Sequence, residues 1–370
     1  MKKLGTADLP LHFGRCPRWL FERMVKLSGG IAEAIILEFG RDEFLKRISD
    51  PFFFQSLGCA VGFDYHSSGL TTTLTGALKE ALAAGEYGVI ACGGKGNASR
   101  KAQEEIDRAG EIFSFTSQRI AQLMYASRIS AKVDSTAIQS GYQLYHHVFF
   151  LEESGKWAVV QQGLNVDRRY ARRYHWLSDD VHSYVVEPHT AIVSDRVEEA
   201  VLNLTSSGSL ETQKVIVDIS REKPVKVQNM VQELHDKTSV TLMDWIAPPL
   251  KKPLSNHLVM PRSINWEVAR QLYETQPRDF EEVLMTRGVG PNTIRALALI
   301  SNLVYGSEID WRDPVKFSFC VGGKDGVPFP VDRRAYDDSI SFLKGALENA
   351  KIGKEDRIMA LRRLGKMSLQ

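Results

Sequence analysis

Two glycines around one valine, Gly288-Val289-Gly290, constrain this chain more than any other feature. Residues 279–285 are acidic and apolar, and the stretch from Pro291 onward has the apolar spacing of a helix. Only a tight turn fits between them. Glycine tolerates the backbone angles such a turn needs and leaves no Cβ between the backbone and a ligand. Pro291 suits a first helical turn, where it has no N–H to lose. The pattern is that of a helix-hairpin-helix. Its turn and first-turn amides, at the positive end of a helix dipole, form a seat for one backbone phosphate. Arg287, Gly288, Val289, Gly290, Asn292, Thr293 and Arg295 are the DNA contacts this pattern predicts, and they would be independent of base sequence. The plainer alternative is an ordinary helix corner.

At 370 residues the chain is long enough for more than one core, and its 43% hydrophobic, 25% charged and 9% aromatic content is that of a folded protein. A formal net charge of +2 does not attract nucleic acid in bulk, so any such role must rest on local patches. Cys16, Cys59, Cys92 and Cys320 form no C-x-x-C pair. That argues against a thiolate zinc site or a secreted disulfide framework and favours a reducing cytoplasm. No apolar run approaches the ~20 residues of a membrane span, and the first residues lack a signal-peptide apolar region. A soluble cytoplasmic protein with no membrane partner is expected, and nothing in the sequence points to a nucleotide cofactor.

The periodicities predict an α+β chain, mostly helical. A helical N-terminal region covers 1–130, a small β-containing middle 131–246, a Pro- and Lys-rich linker 247–262, and an all-α C-terminal helix-hairpin-helix domain 263–370. In the first region, helices are expected from Pro17, broken at Gly29-Gly30 and resuming over 31–39, then over 51–57, 70–84 and 112–127. Residues 92–101 read as a flexible basic loop. Residues 141–151 and 156–162 read as a β-hairpin, with a further extended segment over 184–193.

Two other constellations bear on chemistry. Residues 167–176 set Arg168, Arg169, Arg172 and Arg173 among Tyr170, Tyr174 and Trp176. Guanidinium groups grip phosphates bidentately and aromatic faces stack on unpaired bases, so this segment is expected to contact nucleic acid. Lys95 and Arg100 of the glycine loop extend the patch; a solvated basic face is the alternative. Separately, Asp64, His66, Asp134, His146 and His147 are residue types that hold Mg²⁺ or Mn²⁺, and less readily Zn²⁺, beside a scissile phosphate. Their spacing matches no defined metal motif. Neighbours on a strand face opposite sides, so only one of His146 and His147 can join such a site. The alternatives are a turn at Asp64 and a core histidine.

The C-terminal part resembles the helix-hairpin-helix DNA glycosylase superfamily, in which the hairpin is followed by a Pro-Val-Asp segment, here Pro330-Val331-Asp332. The resemblance implies that Asp332 stabilises positive charge on the sugar as the base leaves, a sensible task for a carboxylate near an oxocarbenium-like centre. Its alternative role is an N-cap. Members that also cleave the backbone carry a Schiff-base lysine two residues past the second hairpin glycine. Asn292 stands there, so the amine would have to come from elsewhere, such as Lys324 in the loop 322–326. End to end, the chain also resembles a prokaryotic family of unknown function, on residues 5–12, 63–69, 141–147 and 157–163. The expectation is a DNA-processing or repair protein acting on duplex DNA with a damaged, unpaired or deformed segment. Cleavage would be that of a metal-dependent nuclease. The alternatives are a base-excision glycosylase using Asp332 and a non-catalytic DNA-binding scaffold.

Overall fold

The computed structural model describes residues 16–63, 68–194, 196–237, 259–261, 264–315 and 333–368. Helices α1 (Arg18–Phe39), α2 (Arg41–Ser49), α3 (Pro51–Ala60) and α4 (Gly69–Ala81) lead to strand β1 (Val89–Lys95). After α5 (Ala102–Ile112) and α6 (Ser117–Lys132) come β2 (Ile138–Gln139), β3 (Gln143–Glu152), β4 (Trp157–Asn165), β5 (Tyr170–Leu177), β6 (Ala191–Val193) and β7 (Leu202–Asn203). Then follow α7 (Leu210–Ser220), α8 (Pro224–Lys237), α9 (Trp266–Thr275), α10 (Phe280–Met285), α11 (Pro291–Tyr305), α12 (Arg333–Asn349) and α13 (Lys354–Ser368). The fold is α+β, with helices at both ends of the chain and an antiparallel sheet in its middle, in the order β1-β3-β4-β5-β6. β2 and β7 pair separately.

Strand alternation explains the layers. Val148, Phe150, Ala158, Val160 and Leu177 face a core shared with α1 to α4, α12 and α13. Phe149, Leu151, Trp157, Val159, Tyr174 and Trp176 face the opposite core, built with α5 to α7 and α9 to α11. A strand covered on both faces shows no polar alternation, which is why residues 148–151 of β3 read as a continuous apolar run. Removing either Phe149 or Phe150, both fully buried, would cost about 3–5 kcal/mol. Each core joins residues from both sides of the expected 247–262 linker: α11 packs on α7 in one, and α12 on α1 and α3 with α13 on α3 in the other.

Several local expectations change. α1 runs unbroken through Gly29-Gly30. A Cβ on Gly29 would meet Ala81 at 3.0 Å, and one on Gly30 would meet Ile352 at 2.6 Å, so these glycines admit neighbouring chain instead of ending the helix. Asp50 does start α3, its side chain accepting from the N–H groups of Phe52 and Phe53. The sheet also takes residues read as helix or loop. β1 is an edge strand inside the region expected to be helical, and a 3₁₀ turn over Gly96–Lys101 links it to α5. β5 forms from the Arg-rich segment, while the 184–193 stretch contributes only β6. No helix among the described residues is long and apolar enough to cross a membrane.

Candidate functional site

The glycine turn joins α10 to α11. Asp279 caps α10, its side chain accepting from the Glu282 N–H at 2.9 Å. Gly288 is exposed at φ +85°, and a Cβ there would also meet Val268 at 2.8 Å. Val289 is buried, and its N–H donates to the Thr286 carbonyl at 3.1 Å. Gly290 is the N-cap of α11, in extended backbone with no side-chain cap, and Pro291 is the first helical residue. A Cβ on Gly290 would meet none of the described residues within 4 Å. The two glycines therefore do different jobs: the first turns the chain and the second keeps a helix N-terminus open.

Behind the turn, Lys132 Nζ donates to the Val289 carbonyl at 2.5 Å and Gln139 Nε2 to the Pro291 carbonyl at 2.9 Å. Arg295 belongs to this scaffold as well: it is 9% exposed, and its Nη2 donates to Asn292 Oδ1 at 2.9 Å. Burial pushes both the Lys132 ammonium and the Arg295 guanidinium below their usual ranges. Arg295 is thereby corrected as a surface side-chain contact. The side chains of Val289 and Thr293 are buried as well, which leaves their expected contacts to the backbone, and the outer surface of the turn belongs to Arg287, Gly288 and Asn292, with Gly290 between them.

The Arg-rich segment is corrected more heavily. β5 lies between β4 and β6 and is covered on both faces. Arg172 is fully buried, 2.6 Å from Asp313, with its guanidinium 4.5 Å from the Tyr142 ring centre. Arg173, on the other face, donates to His175 Nε2 at 2.9 Å and to Gln55 Oε1 at 3.0 Å. Trp176 is also buried and donates to Asp134 Oδ2 at 3.0 Å. Buried charge needs partners: Arg172 has the Asp313 carboxylate, and Arg173 has hydrogen-bond acceptors on His175 and Gln55. What remains outside is Arg168, which bonds Glu198, and Arg169, which makes the β4–β5 turn at φ +59°. Lys95 and Arg100 are exposed too.

Of the expected metal ligands, Asp64 and His66 lie outside the described residues, and Asp134, His146 and His147 do not converge. His146 and His147 face opposite sides of β3, as the alternation requires, and both are buried. His146 Nε2 lies 3.0 Å from the Thr75 hydroxyl, which donates to the Thr71 carbonyl at 2.7 Å. Burial, then the nearby His147 and Lys95, push the His146 ring down to about 3. His147 donates through Nδ1 to Gln161 Oε1 at 3.0 Å and accepts at Nε2 from Ser127 Oγ at 2.9 Å. Burial pushes it down to about 4, partly offset by the Gln161 bond. Gln161 Nε2 in turn donates to Asp134 Oδ2 at 2.6 Å. Asp134 sits on a π-helical turn, Val133–Ala137, fully buried, and its other oxygen meets His189 Nε2 at 2.5 Å. Burial pushes its carboxyl up, against the His189 charge and the His189 and Trp176 hydrogen bonds. Among the described residues, no group of three or more His, Cys, Asp or Glu side chains is arranged to hold a metal ion. The sequence missed His189, a lone histidine in an irregular segment whose spacing to Asp134 carries no motif. Asp332 and Lys324 lie outside the described residues.

The class defined by this geometry is a two-core α+β protein with an exposed glycine hairpin and a hydrogen-bonded carboxylate–imidazole network inside. The chain belongs to the DUF763 family, described as a protein of unknown function, whose model matches residues 5–331. No curated protein and no solved structure matches it.

Proposed function

We propose that this protein binds duplex DNA through the Gly288-Val289-Gly290 hairpin and acts in DNA processing or repair. The observation that carries the proposal is the open start of α11. Gly290 caps the helix with no side chain, none of the described residues occupies the space a Cβ would take, and the exposed Arg287 stands beside it. An uncapped helix start favours an anion through its free N–H groups and its dipole, and a backbone phosphate has both the charge and the acceptor oxygens to match. The grip is read from backbone and is therefore independent of base sequence. Lys132 and Gln139 hold the turn in shape from behind.

The residues proposed for cleavage belong to other segments: Asp332 and Lys324 on the glycosylase reading, and Asp64 and His66 with a divalent metal on the nuclease reading. One assay addresses grip and chemistry together. Fluorescence anisotropy with a labelled duplex should show binding whose logarithm falls with log salt by about 0.9 for each phosphate neutralised. Absence of binding at low salt contradicts the proposal. In the same tubes, nicking abolished by EDTA supports metal-dependent cleavage. An abasic product that survives EDTA and is lost in Asp332→Asn supports base excision. Binding with no product under either condition leaves a scaffold.

A further inference from the structure

The sheet's inner network ends at a place the DNA proposal does not use. Gln103 Nε2 donates to Ser127 Oγ at 3.1 Å, Ser127 serves His147, His147 serves Gln161, and Gln161 serves Asp134. Every donor in that series points toward the Asp134 carboxylate. Trp176 Nε1 shares the same oxygen as Gln161, and among the described residues only His189 meets the other. With both oxygens accepting, the carboxylate fixes His189 with Nε2–H turned inward. The Trp176 ring, 4.5 Å away edge to face, sets the imidazole plane. No described group bonds to Nδ1, whose lone pair is left on the opposite edge of the ring.

That edge borders a cleft of about 280 Å³ lined by His189, Glu187, Asn203, Thr205, Asp310 and Arg312, among others. We infer that His189, oriented by Asp134, is a general base presented to this cleft, which takes a small neutral molecule bearing a hydroxyl group. A carboxylate on one ring nitrogen holds the tautomer and stabilises the imidazolium that forms when the other nitrogen takes a proton. Charge limits the ligand. Arg312 is bonded to Asp310 at 2.8 Å, and Asp313 is bonded to Arg172 at 2.6 Å, which leaves Glu187 as unbalanced negative charge. An anion such as a phosphodiester is repelled, while Asn203 and Thr205 offer hydroxyl partners. In the step that follows, Nδ1 takes the hydroxyl or water proton as its oxygen bonds to an ester carbonyl carbon. The carbon–alkoxide bond then breaks, and the proton returns to the departing alkoxide.

The test uses the full-length protein and diethyl pyrocarbonate, a neutral reagent that acylates an unprotonated imidazole nitrogen, with sites mapped by mass spectrometry. His189, though only 6% exposed, should be acylated at least as fast as the exposed His182, and Asp134→Asn should slow it several-fold. His189 left unmodified while His182 reacts overturns the inference, as does an unchanged rate in folded Asp134→Asn. If that variant does not fold, as circular dichroism would show, the wild-type comparison of His189 with His182 decides alone. The ligand class is read with p-nitrophenyl acetate against bis(p-nitrophenyl) phosphate. Hydrolysis of the neutral ester, falling roughly tenfold or more in His189→Gln, supports it. Preference for the phosphodiester overturns it. Failure here leaves the hairpin's DNA binding untouched, because no residue is shared.

Discussion

The glycine hairpin and strand β5 both look, in sequence, like nucleic-acid contacts, and the fold treats them in opposite ways. The hairpin builds its proposed contact from backbone, and its exposed turn needs only that no side chain intervene. β5 carries more positive charge, yet Arg172 and Arg173 sit on opposite faces of a strand covered on both sides. Charge density in a segment thus says little about a surface until the segment's place in the sheet is known. A backbone feature survives that uncertainty better than a side-chain patch.

The largest effect should come from breaking the buried half of this contrast. Arg172→Ala leaves Asp313 buried without its cation and should cost about 3–5 kcal/mol in urea unfolding. Arg169→Ala, at the exposed turn of the same segment, should stay within about 0.5 kcal/mol. Equal losses at both positions would erase the distinction.

Acid should act next. His146, His147 and His175 are buried neutral, with His146 pushed down to about 3, His147 to about 4, and His175 well below its usual range by burial. The unfolded chain takes up these protons near pH ~6.5 while the folded rings do not, so stability rises with pH in this window. As pH falls from about 6.5 toward 4, each ring should cost up to roughly 1.4 kcal/mol per pH unit. Asp134, pushed up, has the opposite sign and offsets part of this. Urea midpoints at pH 7 and pH 5 measure the net, which should fall, and a flat profile would contradict the neutral buried rings.

Within the hairpin the expected effects are smaller. Gly288→Ala must hold a left-handed backbone and press on Val268, costing about 1–2 kcal/mol. Gly290→Ala, with extended backbone and open space, should stay within about 0.5 kcal/mol of wild type. Thermal melts of the two variants separate the turning glycine from the open one.

Much of the fold was legible because local rules and tertiary packing agree. Asp50-Pro51 starts α3 with a capping bond, and β3 and β4 fall where aromatic and β-branched residues cluster around a Glu-Ser-Gly turn. The misses have physical causes. Gly29-Gly30 looks like a helix break, but the need there is for close packing against Ala81 and Ile352, which lie far off in sequence. β1 ends in a Gly-rich stretch that local rules assign to a loop, and only pairing with β3 makes it a strand. At the candidate sites, the turn was readable because its geometry is local. His189 was not, because it meets Asp134 across 55 residues of intervening chain.

The central claim is that an open helix start at Gly290 seats a DNA phosphate. It is tested most directly by Gly290→Leu, measured as duplex affinity at moderate salt alongside a thermal melt. A Cβ there meets none of the described residues within 4 Å, and the side chain would stand where the phosphate sits. The account predicts an unchanged melt and an affinity reduced several-fold, with a shallower salt dependence. Wild-type affinity in a normally folded Gly290→Leu protein would contradict it.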